Sequence, residues 1–151
     1  MAQQPYQVLH LEDDAAFAEA VREMFGWVQP GKWEVTNVPS LEGALDHLHR
    51  QSYHLIIVDL NLLDSHGMET LWALRPVVQH AAVVVSTGAN GAVMQAECYR
   101  LGAVGFFSKG APIEPKEFVA SVEQLVTERL ATKADIVFIG EAGRALADDG
   151  A

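Results

Sequence analysis

At 151 residues, half of them apolar, the chain is long enough for one domain with its own core and too apolar for wholesale disorder. Its formal charge of -10, from 20 Asp+Glu against 10 Lys+Arg, repels phosphate backbones and anionic bilayers, so neither nucleic acid nor a membrane is an expected direct partner. Cys98 is the single cysteine, which excludes an internal disulfide and fits a reducing, cytoplasmic compartment; it reads as a small packing side chain.

Met1 to Gln7 has no basic stretch followed by an apolar run, as a signal peptide would, and no apolar run approaches the roughly 18 residues of a membrane span. The first predicted strand is Val8-Leu9-His10-Leu11, ending in Glu12-Asp13-Asp14. Phe17, Ala20, Val21, Met24 and Phe25 follow at helical spacing, and Asp14 is placed to cap that helix. Trp27 to Lys32, with Pro30-Gly31, reads as a loop, and Trp33 to Val38 alternates as a strand does. Ser40 caps a second helix facing inward through Leu41, Ala44, Leu45 and Leu48. Leu55-Ile56-Ile57-Val58 is continuously apolar, as in a strand covered on both faces, and stops at Asp59. A loop through Asp64 and Gly67 leads to a short helix from about Met68 to Arg75, limited by Pro76. Ala82 to Val85 is a fourth strand ending in Ser86-Thr87-Gly88, Ala92 to Leu101 a fourth helix stopped by Gly102, and Val104 to Phe107 a fifth strand before Ser108-Lys109-Gly110. Pro115 opens a last helix with Phe118, Val122, Leu125 and Val126 inward.

Strand and helix thus alternate five times. The expected class is α/β: a doubly wound, five-stranded parallel sheet with helices on both faces and its ligand site beyond the carboxyl ends of the strands. Those ends carry Glu12 and Asp13, then Asp59, then Thr87, then Lys109. Three carboxylates at one edge repel one another, and a divalent cation resolves the conflict. Mg²⁺ fits, because it takes hard oxygen ligands, uses few protein carboxylates and keeps phosphate oxygens in its shell. With a phosphoryl group as ligand each residue has a role: Asp59 as nucleophile, Lys109 as a positive charge on a phosphoryl oxygen, and the Thr87 hydroxyl as donor to another.

These residues resemble the receiver domain of two-component response regulators, the CheY-like superfamily, over about Tyr6 to Glu128. Glu12-Asp13 match the acidic pair after the first strand, Asp59 the phosphorylated aspartate, Thr87-Gly88 the hydroxyl and small residue after the fourth strand, and Gly102 to Lys109 the run into the lysine. The resemblance implies the flavodoxin-like strand order 2-1-3-4-5. It also implies Glu12, Asp13, Asp59 and the backbone carbonyl of Asn61 as metal ligands, and Phe106 as the aromatic that changes rotamer on phosphorylation. Two positions depart from the pattern: Leu63 stands where proline is frequent in the loop after Asp59, and Gly110 where proline often follows the lysine.

The implied function is Mg²⁺-dependent acceptance of a phosphoryl group on Asp59 from a sensor histidine kinase or a histidine phosphotransfer protein. Switching of the face formed by the fourth helix, fifth strand and fifth helix toward a downstream protein would follow. A receiver of this kind is a phosphoacceptor with at most slow autodephosphorylation and not an enzyme in the ordinary sense. Residues 132–151 are too short for an output module, so the expected organisation is a receiver domain over 1–131 and a tail over 132–151. Ile136 to Ile139 in that tail is expected to cover an apolar patch of the domain or of a homodimer mate. Two other readings are a docking module that is never phosphorylated, which needs a missing catalytic residue, and a phosphohydrolase, which Asn61 disfavours because such enzymes carry a carboxylate there. Asp64 reads as a loop acid and His10 as a packed, hydrogen-bonded histidine; His47, His49, His54, His66 and His80 form no metal spacing.

Overall fold

The structure, a computed structural model, describes residues 4–88, 92–110 and 112–131. Strand β1 (Tyr6–Leu11) leads into helix α1 (Ala15–Val28), whose N-cap is Asp14, accepting from the amides of Ala16 at 3.0 Å and Phe17 at 3.1 Å. The helix takes in Trp27 and Val28, where the sequence predicts loop. It stops at Gln29, one residue before Pro30, which has no amide to continue it. Strand β2 (Trp33–Val38), helix α2 (Leu41–Arg50) and strand β3 (Leu55–Val58) follow the predicted bounds.

After β3 the chain forms a small antiparallel pair that the sequence does not announce, β4 (Asn61–Leu62) with β5 (Ser65–His66), and then helix α3 (Met68–Leu74). Strand β6 (Ala82–Thr87) includes Ser86 and Thr87, two residues beyond the predicted apolar run. Helix α4 (Ala92–Arg100), strand β7 (Gly105–Ser108) and helix α5 (115–131) complete the described chain. No described helix is long and apolar enough to cross a membrane.

The main sheet is ordered β2-β1-β3-β6-β7, all parallel, which is the expected order once the β4–β5 pair is set aside. Alternation along each strand divides the core. Leu9, Leu11, Ile56, Val58, Val83 and Val85 face α2, α3 and α4; Val8, Leu55, Ile57, Ala82 and Val84 face α1 and α5. Both faces are covered, so the strands read as unbroken apolar runs. Cys98 lies fully buried in the first of these layers, and burial pushes its thiol up, as befits a packed side chain.

His10 departs from expectation. It is fully buried, as predicted, but neither ring nitrogen has a hydrogen-bond partner among the described residues. Its strand position points it into the α1 layer, where its ring neighbour is Phe17, edge-on with centroids 6.2 Å apart. Burial, reinforced by the positive charge of Lys109, lowers its pKa to about 4, so it is a neutral ring at neutral pH. Residues 132–151, with Ile136 to Ile139, lie outside the described residues.

Helix α5 approaches β7 closely at Gly105. A Cβ there would stand 3.3 Å from Val84 Cγ2 on the neighbouring strand and 3.0 Å from Leu125 Cδ1. Leu125 can swing aside, but the β6 side chain is fixed by the packed layer. Gly105→Ala is expected to destabilise the fold by about 1–3 kcal/mol in urea unfolding, the range for overpacking a core; an unchanged midpoint would show that α5 shifts freely on the sheet.

The carboxylate and lysine cluster at the sheet edge

The backbone ladder sets the site. At its upper end the Glu12 amide donates to Val38 O at 3.0 Å, the Asp59 amide to Leu11 O at 3.0 Å, and the Lys109 amide to Thr87 O at 2.9 Å. Each of these residues is therefore held at the carboxyl edge by its neighbouring strand. Carboxylate oxygens of Glu12, Asp13 and Asp59 all lie within 4.8 Å of one another, with Glu12 and Asp59 buried and Asp13 exposed. An all-oxygen set that close, open to solvent on the Asp13 side, fits a hard divalent ion that keeps part of its water shell.

Lys109 joins this cluster. Its Nζ donates to Glu12 Oε1 at 2.8 Å and to Asp59 Oδ2 at 3.1 Å. Burial pulls the lysine pKa down, but the bonds to Glu12 and Asp59 outweigh it and the net direction is up, so the ammonium stays charged. Burial is also the main influence on Glu12, and it raises that carboxyl despite the opposing bonds from Lys109 and from the Asp14 amide at 3.1 Å. The other Asp59 oxygen, Oδ1, accepts from the Asn61 amide at 3.0 Å, which brings Asn61 to the site by its backbone.

Thr87 is fully buried at the end of β6 and opposite Ser108 in the β6–β7 register. Phe106, two register positions back beside Val85, is half-buried and packs on the α2–α3–α4 layer. No described peptide bond is cis, the one after Lys109 included.

The loop after Asp59 is more constrained than the exposed Leu63 suggests. Asp64, read from sequence as a plain loop acid, accepts from the amides of Leu41 at 2.8 Å and Glu42 at 3.0 Å. It thus caps α2 from outside, beside Ser40, which takes the Gly43 amide at 3.0 Å. The Glu42 and Leu41 amides hold the Asp64 carboxyl below its ordinary pKa. Ser65 and Thr70 hydroxyls meet at 2.6 Å in the interior, and Thr70 also donates to Leu60 O at 3.3 Å. Gly67, at φ 62 and ψ −142, makes the turn in a region closed to side chains with a Cβ. No local pattern flags Asp64, because its partners lie 23 and 22 residues away.

Phe17 joins the site from helix α1. Its ring stands under Lys109, with Nζ 4.6 Å from the ring centroid. Helical spacing marks Phe17 only as a core position, and nothing in the order of residues announces a contact across 92 positions.

The model of the response regulator receiver domain matches residues 8–123. The glycerol metabolism activator of Pseudomonas putida is 27% identical over 133 residues, covering 87% of this chain and 59% of that protein. The response regulator protein FleR of Pseudomonas aeruginosa is 36% identical over 104 residues, covering 68% of this chain and 21% of its own. The chain therefore spans less than two thirds of the length of either relative. Among solved structures, a CheY-like receiver domain protein from Methanospirillum hungatei superposes with a TM-score of 0.74 at 17% identity, covering 85% of this chain and 98% of that one. A sensor protein from a Polaromonas species gives 0.68 at 27% identity, covering 84% and 99%. With the family model matched over most of its length, the chain belongs to the response regulator receiver domains.

Proposed function

We propose that this receiver accepts a phosphoryl group on Asp59, with Mg²⁺ held by Glu12, Asp13, Asp59 and the Asn61 carbonyl. The observation that carries this reading is a cluster of three carboxylates at the carboxyl edge of the sheet, two of them, Glu12 and Asp59, bonded to the Lys109 ammonium. An Asp59 oxygen attacks phosphorus; the bond from phosphorus to the donor's imidazole nitrogen breaks as the new P–O bond forms, that nitrogen takes the bonding electron pair, and the donor, carrying a proton on its other ring nitrogen, leaves as neutral histidine. When bound, Mg²⁺ would neutralise charge on the transferring oxygens and on the carboxylates. Lys109 exchanges its bond to Asp59 for one to a phosphoryl oxygen, and the Thr87 hydroxyl donates to another. The protein acts here by position and charge, with no general base.

The phosphoryl donor on this reading is a sensor histidine kinase or a histidine phosphotransfer protein. The receiving surface for a downstream protein is the α4–β7–α5 face, where a groove of about 380 Å³ is lined by Tyr99, Phe106, Ile113, Glu117 and Phe118 among others. Inward movement of Thr87 would free space for Phe106 beside β6 and so change the shape of that groove: a shift between two packings of one fold. Slow loss of the phosphoryl group to water, a receiver domain spanning 1–131 and residence in the cytoplasm complete the proposal.

Incubation with acetyl phosphate and Mg²⁺ is expected to add one phosphoryl group by intact mass, and Asp59→Asn to add none. No adduct on the wild type, where another receiver is labelled in parallel, would favour a docking module; steady phosphate release without adduct would favour a hydrolase. Lys109→Met removes a charge-assisted hydrogen bond worth about 1.5–3 kcal/mol and is expected to slow labelling by about 10- to 150-fold. The same variant frees Glu12 and Asp59 from their ammonium, so calorimetric Mg²⁺ affinity is expected to rise, by about tenfold.

Proton linkage at Glu12 gives a separate test. Its carboxyl is raised in the fold, so the metal-free protein gains a contribution to stability in mild acid that fades as pH climbs through the raised pKa. Mg²⁺ binding runs the other way, because the ion needs the carboxylate, and affinity is expected to drop as pH falls through the same range. Glu12→Gln should flatten the first profile in EDTA; a slope unaltered in that variant would assign the linkage to another group.

A further inference from the structure

Lys109 has a third neighbour besides its two carboxylates. Its Nζ lies over the Phe17 ring at 4.6 Å from the centroid, well inside the roughly 6 Å reach of a cation–π contact. Phe17 is fixed from several directions. Its amide is bound to the N-cap Asp14, its side chain packs against the α1–α5 layer, and the buried His10 ring meets it edge-on.

The three neighbours differ in what becomes of them when the site is loaded. Glu12 and Asp59 are the carboxylates that a divalent ion would claim, so each bond they give to Lys109 competes with the ion. The aromatic face is no ligand for Mg²⁺ and takes none of the ammonium's three protons from an oxygen. A lysine stem carries about 2 kcal/mol of rotamer entropy, so an ammonium stripped of both carboxylates would spread over many positions unless something else held it.

We propose that Phe17 is the positioning residue for Lys109 in the metal-loaded state, keeping the ammonium at the strand edge so that it meets the phosphoryl group. This rests on Asp59 being the acceptor. Its consequence is a division of labour: the carboxylates hold Lys109 in the metal-free protein, and the ring holds it once they turn to the ion.

Three measurements decide the matter. The first needs no phosphorylation: a ring under Nζ shifts the Lys109 Hε resonances upfield, and this shift, assigned by its loss in Lys109→Met, should also vanish in Phe17→Leu. A wild-type spectrum with no such lysine resonance overturns the contact. The second is the initial rate of labelling by acetyl phosphate at saturating Mg²⁺. A cation–π contact of about 0.5–2 kcal/mol predicts a loss of about 2- to 30-fold in Phe17→Leu, with Phe17→Tyr and Phe17→Trp within about twofold of wild type. The third is Mg²⁺ affinity, which should stay within about twofold in Phe17→Leu because no ion ligand is touched. Parallel loss of Mg²⁺ affinity and labelling would reduce Phe17 to a packing residue, as would unimpaired labelling in Phe17→Leu. If the wild type shows the lysine shift but takes no phosphoryl group, the acceptor reading fails, and with it the role in transfer, while the contact itself stands.

Discussion

The Lys109 ammonium bonded to both Glu12 and Asp59 is the interaction on which the rest of this sheet edge depends. Glu12 is 1% exposed and Asp59 5%, so two carboxylates lie almost out of water beside a third, Asp13. Without a cation between them, their mutual repulsion and lost hydration would push the edge apart or force them to take up protons. The lysine relieves that repulsion. It does so incompletely, since burial still raises the Glu12 carboxyl while the lysine sits 2.8 Å away. One positive charge against three carboxylates leaves a negative site, and that remainder is what a divalent ion could neutralise.

The fold holds this arrangement in place by making its residues extensions of a buried ladder. Glu12, Asp59 and Lys109 come from positions 47 and 50 residues apart, yet each donates its amide to the strand beside it, and the spacing of those strands is set by apolar layers on both faces. The loop after Asp59 lies beyond that ladder and is held by its own β4–β5 pair and by polar contacts: Asp64 on the first amides of α2, Ser65 on Thr70, and Gly67 at its turn. Leu63 can therefore stand exposed without leaving that loop loose.

What could be read in the sequence follows from how far each signal reaches. The apolar runs at Leu55 to Val58 and Ala82 to Val85 named their own strands, because burial on both faces leaves a local mark. The residues just after them were legible as a site because a doubly wound sheet brings strand ends together whatever their separation. Asp64 and Phe17 stayed hidden for the same physical reason in two forms. An aspartate capping a helix 22 residues upstream looks like any loop acid, and a phenylalanine under an ammonium looks like any inward helix position. His10 was half legible: a strand interior predicts burial, but that its ring nitrogens meet no hydrogen-bond partner among the described residues depends on which side chains of α1 face it. The β4–β5 pair is two residues a side, too short for any periodicity to register.

The register of β6 and β7 bears on how the edge could communicate with the rest of the surface. Thr87 pairs with Ser108, its carbonyl holds the Lys109 amide, and Phe106 pairs with Val85 two positions back. Thr87 and Phe106 are thus on adjacent strands within two residues of each other's level, one fully buried and the other half-buried at the rim of the α4–β7–α5 groove. On the proposed reading, Thr87 moving toward a phosphoryl group leaves space in a close-packed layer, and Phe106 is the side chain that takes it. Lys109 and Thr87 divide the work on that reading. Lys109 meets the charge of the phosphoryl group, and Thr87 converts its presence into a change of shape two residues away.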